Sequence, residues 1–243
     1  MSNATEAEIL FRLPELSGPN APVILEGFHF QFFPSWALFR SFFNSAEVIN
    51  VSSASMLPAW IVAKDNIAFN YPLSGGTIMS LGAYNFSAMR LAFGTEPEEC
   101  LSCDAKAYTD GIHAKCDYEF KATFRFPNGG TGDVSSSLQG GAILKPSYIT
   151  VKTREVVISD DTILPSQEKV RCREVTLRGM MHGVFWHRID VCDNFVIRSK
   201  DDQKPVKRWM EKTSHKAYTF REAGGEFAGL PGETHWMSSR HQL

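Results

Sequence analysis

Between residues 116 and 126 the chain alternates without a slip. Tyr118, Phe120, Ala122, Phe124 and Phe126 fall on one face, and Glu119, Lys121, Thr123 and Arg125 on the other. Period two is that of a strand with one covered face. Asn128-Gly-Gly then supplies a hairpin turn. Further strands are expected at 131–138, 148–158, 169–178, 185–197, 206–212 and 217–221. The first third of the chain is patterned differently. Residues 4–12 read as a short helix, ended by Pro14 and the Ser-Gly-Pro-Asn loop. Residues 22–28 read as an apolar strand. Pro34 opens a helix with Trp36, Phe39, Phe42 and Phe43 at helical spacing, and 48–53 is a second strand. A loop over 63–72 leads into a glycine turn, Leu73-Ser-Gly-Gly-Thr-Ile-Met-Ser-Leu-Gly-Ala-Tyr84. From 77 to about 93 a helix carries Leu81, Tyr84, Ala88 and Leu91 in one stripe, and its first turns present Ser80 and Tyr84 on one side. Helices early and antiparallel strands late predict an α+β fold: a large, predominantly antiparallel, open-faced sheet with helices packed on one face. No repeat or linker divides it, so residues 1–243 are expected to form one domain, with 1–20 a short helix and loop.

Composition narrows the partners. The chain of 243 residues is 43% hydrophobic and 21% charged, with a formal net charge of −2. That balance is ordinary for a globular protein and offers no field to attract nucleic acid or an anionic membrane. No apolar run approaches the ~20 residues of a membrane span, and no secretory leader is apparent. The five cysteines, odd in number, fit buried thiols in a reducing cytoplasm. Cys100-Leu-Ser-Cys103 has the spacing of half a zinc site, but nothing completes it, so no metal is expected. His182 and His187 flank Trp186 at a spacing that puts them on opposite faces of a strand, with Trp186 packed in the sheet. Asn50-Val-Ser and Asn85-Phe-Ser read as chance matches to the glycosylation pattern. Eighteen phenylalanines are too many for the surface. They imply an aromatic core, an apolar ligand cavity or a buried interface.

Three segments in order resemble landmarks of one family: Glu26-Gly-Phe-His-Phe-Gln-Phe-Phe-Pro34, Lys64-Asp-Asn-Ile-Ala-Phe69 and Gly75-Gly-Thr-Ile-Met-Ser-Leu-Gly-Ala-Tyr84. They are similar to the glucose–fructose oxidoreductase/inositol dehydrogenase (Gfo/Idh/MocA) family. Within it they resemble the branch of dimeric dihydrodiol dehydrogenase and NADP-dependent xylose dehydrogenase, and Ala223-Gly-Gly-Glu-Phe-Ala-Gly-Leu-Pro-Gly232 resembles a late segment of fungal members. The resemblance implies a substrate and dimerisation domain that family members carry after a Rossmann domain and a catalytic lysine. No G-x-G-x-x-G occurs in this chain, so the nucleotide domain is expected to be missing from it, with no cofactor bound. Polar positions also depart from the family pattern: Gln31 and Ala68 stand where arginines are usual, and Ser80 where aspartate is usual. Tyr84 remains at a position that in the family donates or accepts the substrate proton.

The resemblance and the residues together nominate Tyr84 and His29 as catalytic, with Glu26, Phe30, Gln31, Phe33, Asp65 and Ser80 lining a substrate site. A core tyrosine is the competing role for Tyr84. On a regular strand His29 and Glu26 face opposite sides, which weighs against their forming a dyad. A phenol of pKa ~10 needs a nearby cation to act as a base near neutrality. The expectation is a cofactor-independent enzyme of the isomerase, cyclase or lyase type, of the kind used in biosynthesis, acting on a small, fairly apolar molecule. One alternative is an NADP-dependent dehydrogenase whose nucleotide domain is not in this chain. Another is a non-catalytic binding or dimerisation module. A homodimer through the sheet face is expected in each case.

Overall fold

The computed structural model describes residues 4–24, 27–63, 65–141 and 145–219. Among the described residues nine strands form one sheet. They are β1 (Val48–Pro58), β2 (Glu99–Ala107), β3 (Asp117–Arg125), β4 (Thr131–Gly140), β5 (Tyr148–Thr153), β6 (Val156–Ile158), β7 (Gln167–Arg178), β8 (Arg188–Ser199) and β9 (Pro205–His215). The order across the sheet is β2-β3-β4-β1-β5-β7-β8-β9, with β6 paired beside β5's position on β7. β1 and β4 run parallel, and the remaining described pairs are antiparallel. The helices α2 (Pro34–Arg40) and α3 (Ala83–Phe93) lie against this sheet, whereas α1 (Ala4–Phe11) buries no residue.

Alternation decides which side is covered. On β1 and β4, Val51 faces Gly132, Ser53 faces Val134 and Ser55 faces Ser136, and all six point toward α3. Gly132 has to be small, because a Cβ there would come 2.2 Å from the Met89 sulfur. The phenylalanines fill the layer between helices and sheet: Phe93 stacks on Phe126 at 3.7 Å and Phe86 on Phe120 at 5.6 Å. Phe30, Phe39, Phe120 and Phe126 are almost wholly buried. Each contributes roughly 1.5–3 kcal/mol by leaving water, so the aromatic excess is chiefly a core. The opposite face is open and polar, crossed by pairs such as Lys106–Glu119, Lys152–Glu174 and Arg178–Asp190.

Several elements differ from the pattern-based expectation. Residues 22–24 and 27–28 are irregular rather than a strand, and 25–26 lie outside the described residues. Both edges of β1 are occupied, by β4 and β5, and of the segment's described residues only Phe28 packs against the core, while 22–24 stay exposed. The segment closes into a tight 3₁₀ turn, His29–Phe32. β2, in the region from 98 where period two is expected, is an edge strand exposed at every position. The 148–158 run breaks at Arg154 and Glu155 into β5 and β6. Trp186 is corrected too: it lies in the turn before β8, 46% exposed, not packed in the sheet. Likewise His182 ends a 3₁₀ turn, Met180–His182, while His187 is buried. The His187 ring donates from Nδ1 to Gly183 O at 2.7 Å and accepts at Nε2 from Ala217 N at 2.9 Å, a pairing one neutral tautomer satisfies. Residues 217–219 are irregular, and the rest of that expected strand, like segment 223–232, lies outside the described residues. Among the described residues no helix is long and apolar enough to cross a membrane.

Candidate active site

The glycine turn is shaped by close approach. A Cβ at Gly75 would sit 2.5 Å from Asn70 N, and one at Gly76, where φ is +129°, 2.0 Å from Asp117 Oδ1. The turn therefore lies directly on the start of β3, and Asp117 Oδ2 accepts a hydrogen bond from Ile78 N at 2.8 Å. Burial pushes the Asp117 carboxyl above the usual carboxylate range, against the backbone hydrogen bonds that favour its charge. The helix expected over 77–93 begins with a π-helical turn, Ile78–Gly82, and continues as α3. Gly94, at φ 70°, closes it in the left-handed conformation that favours glycine.

Tyr84 stands in the first turn of α3, partly buried among aromatic rings from the 27–33 segment. Phe28 meets it edge-on at 5.4 Å, His29 at 5.4 Å and Phe30 at 6.3 Å. Its hydroxyl lies 3.5 Å from His29 Nδ1, at the long limit of a hydrogen bond. The other ring nitrogen, Nε2, is 3.1 Å from Met181 O. With the proton on Nε2, His29 donates to Met181 and presents Nδ1 as acceptor to the tyrosine; this tautomer follows from the partners. Nδ1 also lies 3.3 Å from Gly27 O, a contact only the other tautomer or the charged ring could use. Burial raises the Tyr84 phenol above its ordinary value, so it holds its proton at neutral pH. His29 itself is exposed, which opens the pair to solvent.

The structure brings Tyr84 and His29 together and distributes the other candidates around them. Phe30 is 0% exposed and packs edge-on against Trp36 at 4.9 Å. Phe33 is buried and lies 5.3 Å from the His29 ring. These two support the pair from behind. Gln31 turns toward α3, its Nε2 3.4 Å from Ser87 Oγ. The Ser80 hydroxyl donates to Gly76 O at 2.8 Å, so its proton is committed within the turn. Asp65 is exposed on the 63–72 loop, and Glu26 lies outside the described residues. Sequence reasoning missed Phe28 and Met181. Phe28 was legible within the same motif, whereas Met181 acts through a backbone carbonyl 152 residues away and leaves no sequence signal.

A nicotinamide nucleotide, which the family implies, needs a glycine turn whose helix N-terminus is free to take a phosphate. Here that turn is filled by the chain's own Asp117 carboxylate. That turn thus does not fit the cofactor's phosphates, and no chemical step below is routed through it. Among the described residues no three His, Cys, Asp or Glu side chains are grouped to hold a metal ion.

Relatives agree with this architecture. The family model described as the GFO/IDH/MocA C-terminal domain matches residues 47–146. No curated protein matches by sequence. Among solved structures, KijD10, a 3-ketoreductase from Actinomadura kijaniata in complex with NADP and TDP-benzene, superposes with a TM-score of 0.61 at 12% identity, over 90% of this chain and 56% of that one. Levoglucosan dehydrogenase, in complex with NADH and levoglucosan, gives 0.52 at 11% identity, over 77% of this chain and 46% of that one. Aldose-aldose oxidoreductase from Caulobacter crescentus, complexed with glycerol, gives 0.50 at 14% identity, over 74% and 46%. The chain thus spans about half the length of the solved structures it resembles, and likeness at such identity speaks for the fold. Residues 47–146, which hold β1 through β4, thus match the GFO/IDH/MocA C-terminal domain, and the fold resembles that of the solved structures.

Proposed function

We propose that this domain performs proton-transfer chemistry on a small, fairly apolar carbonyl compound, as a cofactor-independent isomerase, cyclase or lyase. The observation that carries the reading is the Tyr84 hydroxyl facing His29 Nδ1 at the edge of an aromatic cluster. Tyr84 holds its proton and can donate to a substrate carbonyl oxygen. His29 Nδ1 can take a proton from the adjacent carbon, its ring held by the Nε2–H···O contact to Met181. Return of that proton to a different carbon completes an isomerisation; loss of a β-leaving group instead completes an elimination. Gln31 and Ala68 in place of the arginines usual in the family support a greasier ligand than a sugar. The flat polar sheet face supports pairing with a second copy, and free Cys100 and Cys103, both exposed, support a reducing cytoplasmic setting.

One observation favours a second reading. Relatives of this fold include a ketoreductase and a dehydrogenase. In that reading the same Tyr84 proton goes to a developing alkoxide, while residues outside this sequence bind the nucleotide. Deuterium exchange at the α-carbon of apolar ketones, followed by NMR without cofactor, separates the two. Saturable exchange that falls ~10²–10⁴-fold in Tyr84→Phe and His29→Ala is expected. Exchange absent, or unchanged by both substitutions, sinks the acid–base reading; saturable NADPH binding with ketone reduction establishes the second.

A further inference from the structure

Asn85, next to Tyr84 in sequence, is fully buried yet polar on a helix face that is otherwise apolar. Its Oδ1 accepts from Ser53 Oγ at 3.0 Å and Ser55 Oγ at 2.9 Å, and its Nδ2 donates to Ser135 O at 3.0 Å. Burying the amide also makes its glycosylation pattern inaccessible in the folded chain. Eight residues earlier Thr77, equally buried, lies 3.0 Å from Ser136 Oγ on the same sheet face. Both anchors therefore point down at β1 and β4.

A plain α-helix cannot achieve this. At about 100° per residue, positions 77 and 85 would diverge by about 80°. The π turn at Ile78–Gly82 takes up one residue more than an α turn. With that residue absorbed, the two positions are related as if seven α-helical residues apart, within about 20° of each other. We propose that Asn85 is a positioning residue for Tyr84: its buried amide locks the helix register that keeps the π turn, and the register aims the Tyr84 hydroxyl at His29. Expelling the extra residue would rotate Tyr84 by about 100°, away from the 27–33 segment. An apolar side chain in place of Asn85 would not hold the register, because hydrophobic contact has no direction.

The inference rests on the Tyr84–His29 contact and not on the reaction assigned to it, so its test reads that contact directly. In chain labelled with ¹⁵N-histidine, Tyr84→Phe shifts the His29 Nδ1 resonance. Asn85→Leu is expected to abolish that response while far-ultraviolet circular dichroism shows a folded chain. Deletion of the exposed Met79 leaves a plain α-helix that still carries Thr77 and Asn85 on one face, and is expected to retain it. A response that survives Asn85→Leu, or vanishes on deletion of Met79, overturns the register lock. Should Asn85→Leu fail to fold, Ser53→Ala combined with Ser55→Ala removes both donors to Oδ1, and an unchanged response in that variant overturns it equally. Loss of the proposed catalysis with the response intact would count against the acid–base reading alone.

Discussion

Replacing Gly82 with alanine sets two calculable effects against each other. The residue is helical, with φ −61° and ψ −39°, so the backbone accepts alanine without strain. Alanine in place of glycine within a helix stabilises by roughly 0.5–1 kcal/mol. The new methyl, however, would fall 2.6 Å from Phe120 Cε1 and 2.8 Å from Cζ. The ring cannot swing clear, being 1% exposed and stacked on Phe86 at 5.6 Å. Overpacking of this kind costs about 1–3 kcal/mol, so the net expectation is a loss of about 0–2.5 kcal/mol. Urea unfolding should show a lower midpoint at unchanged slope. In a Phe120→Leu background the clash disappears, and a double-mutant cycle should return a coupling of about 1 kcal/mol or more. If Gly82→Ala proves as stable as the parent, with no coupling to position 120, the helix bearing Tyr84 is not pressed onto the sheet as described.

Asp117 gives a pH-dependent expectation. Its folded carboxyl titrates above the ordinary carboxylate range, so the native state binds the proton more tightly than the unfolded chain. Stability from this group is then full below the ordinary carboxylate pKa and is lost as pH rises through the raised folded value. Asp117→Asn should flatten that fall in thermal midpoints measured from about pH 4 upward, and an unchanged profile would count against it. Arg173 forks onto Asp193 with two 2.7 Å contacts and donates to Phe42 O at 2.8 Å. Arg173→Met should cost about 2–3 kcal/mol in chemical denaturation, less than the ~3–5 of a fully buried pair, because the side chain is 20% exposed. Native-state labelling with a thiol reagent should modify Cys100 and Cys103 quickly and the buried Cys116 only on unfolding.

Local pattern carried much of the fold. Strand β3, with its single uninterrupted alternation, and the Asn128-Gly-Gly turn after it are set by side chains that act on immediate neighbours. Pro34 before Trp36 and Phe39 likewise starts α2 through a fixed backbone angle and a three-residue apolar repeat. The 22–28 segment shows the limit. It is apolar enough for a strand, yet its described residues, 22–24 and 27–28, join no strand of the sheet, and 22–24 stay exposed. Edge strand β2 shows the converse: it pairs with β3 although no burial disciplines its sequence.

The site divides along the same line. By itself the sequence determined that a glycine turn would open a helix bearing Tyr84, and that no glycine-rich dinucleotide motif accompanies it. Family resemblance, carried by short motifs, pointed to the same tyrosine, and residues 47–146 match the GFO/IDH/MocA C-terminal domain. Only the tertiary structure decided that His29, 55 positions away, meets the Tyr84 hydroxyl, and that the carbonyl of Met181 orients its ring. It also decided that Asp117 fills the glycine turn, and that Asn85 and a π turn set the direction in which Tyr84 points. Periodicity is a property of neighbours along the chain; contacts through a carbonyl oxygen or one surplus helical residue depend on where distant backbone comes to rest.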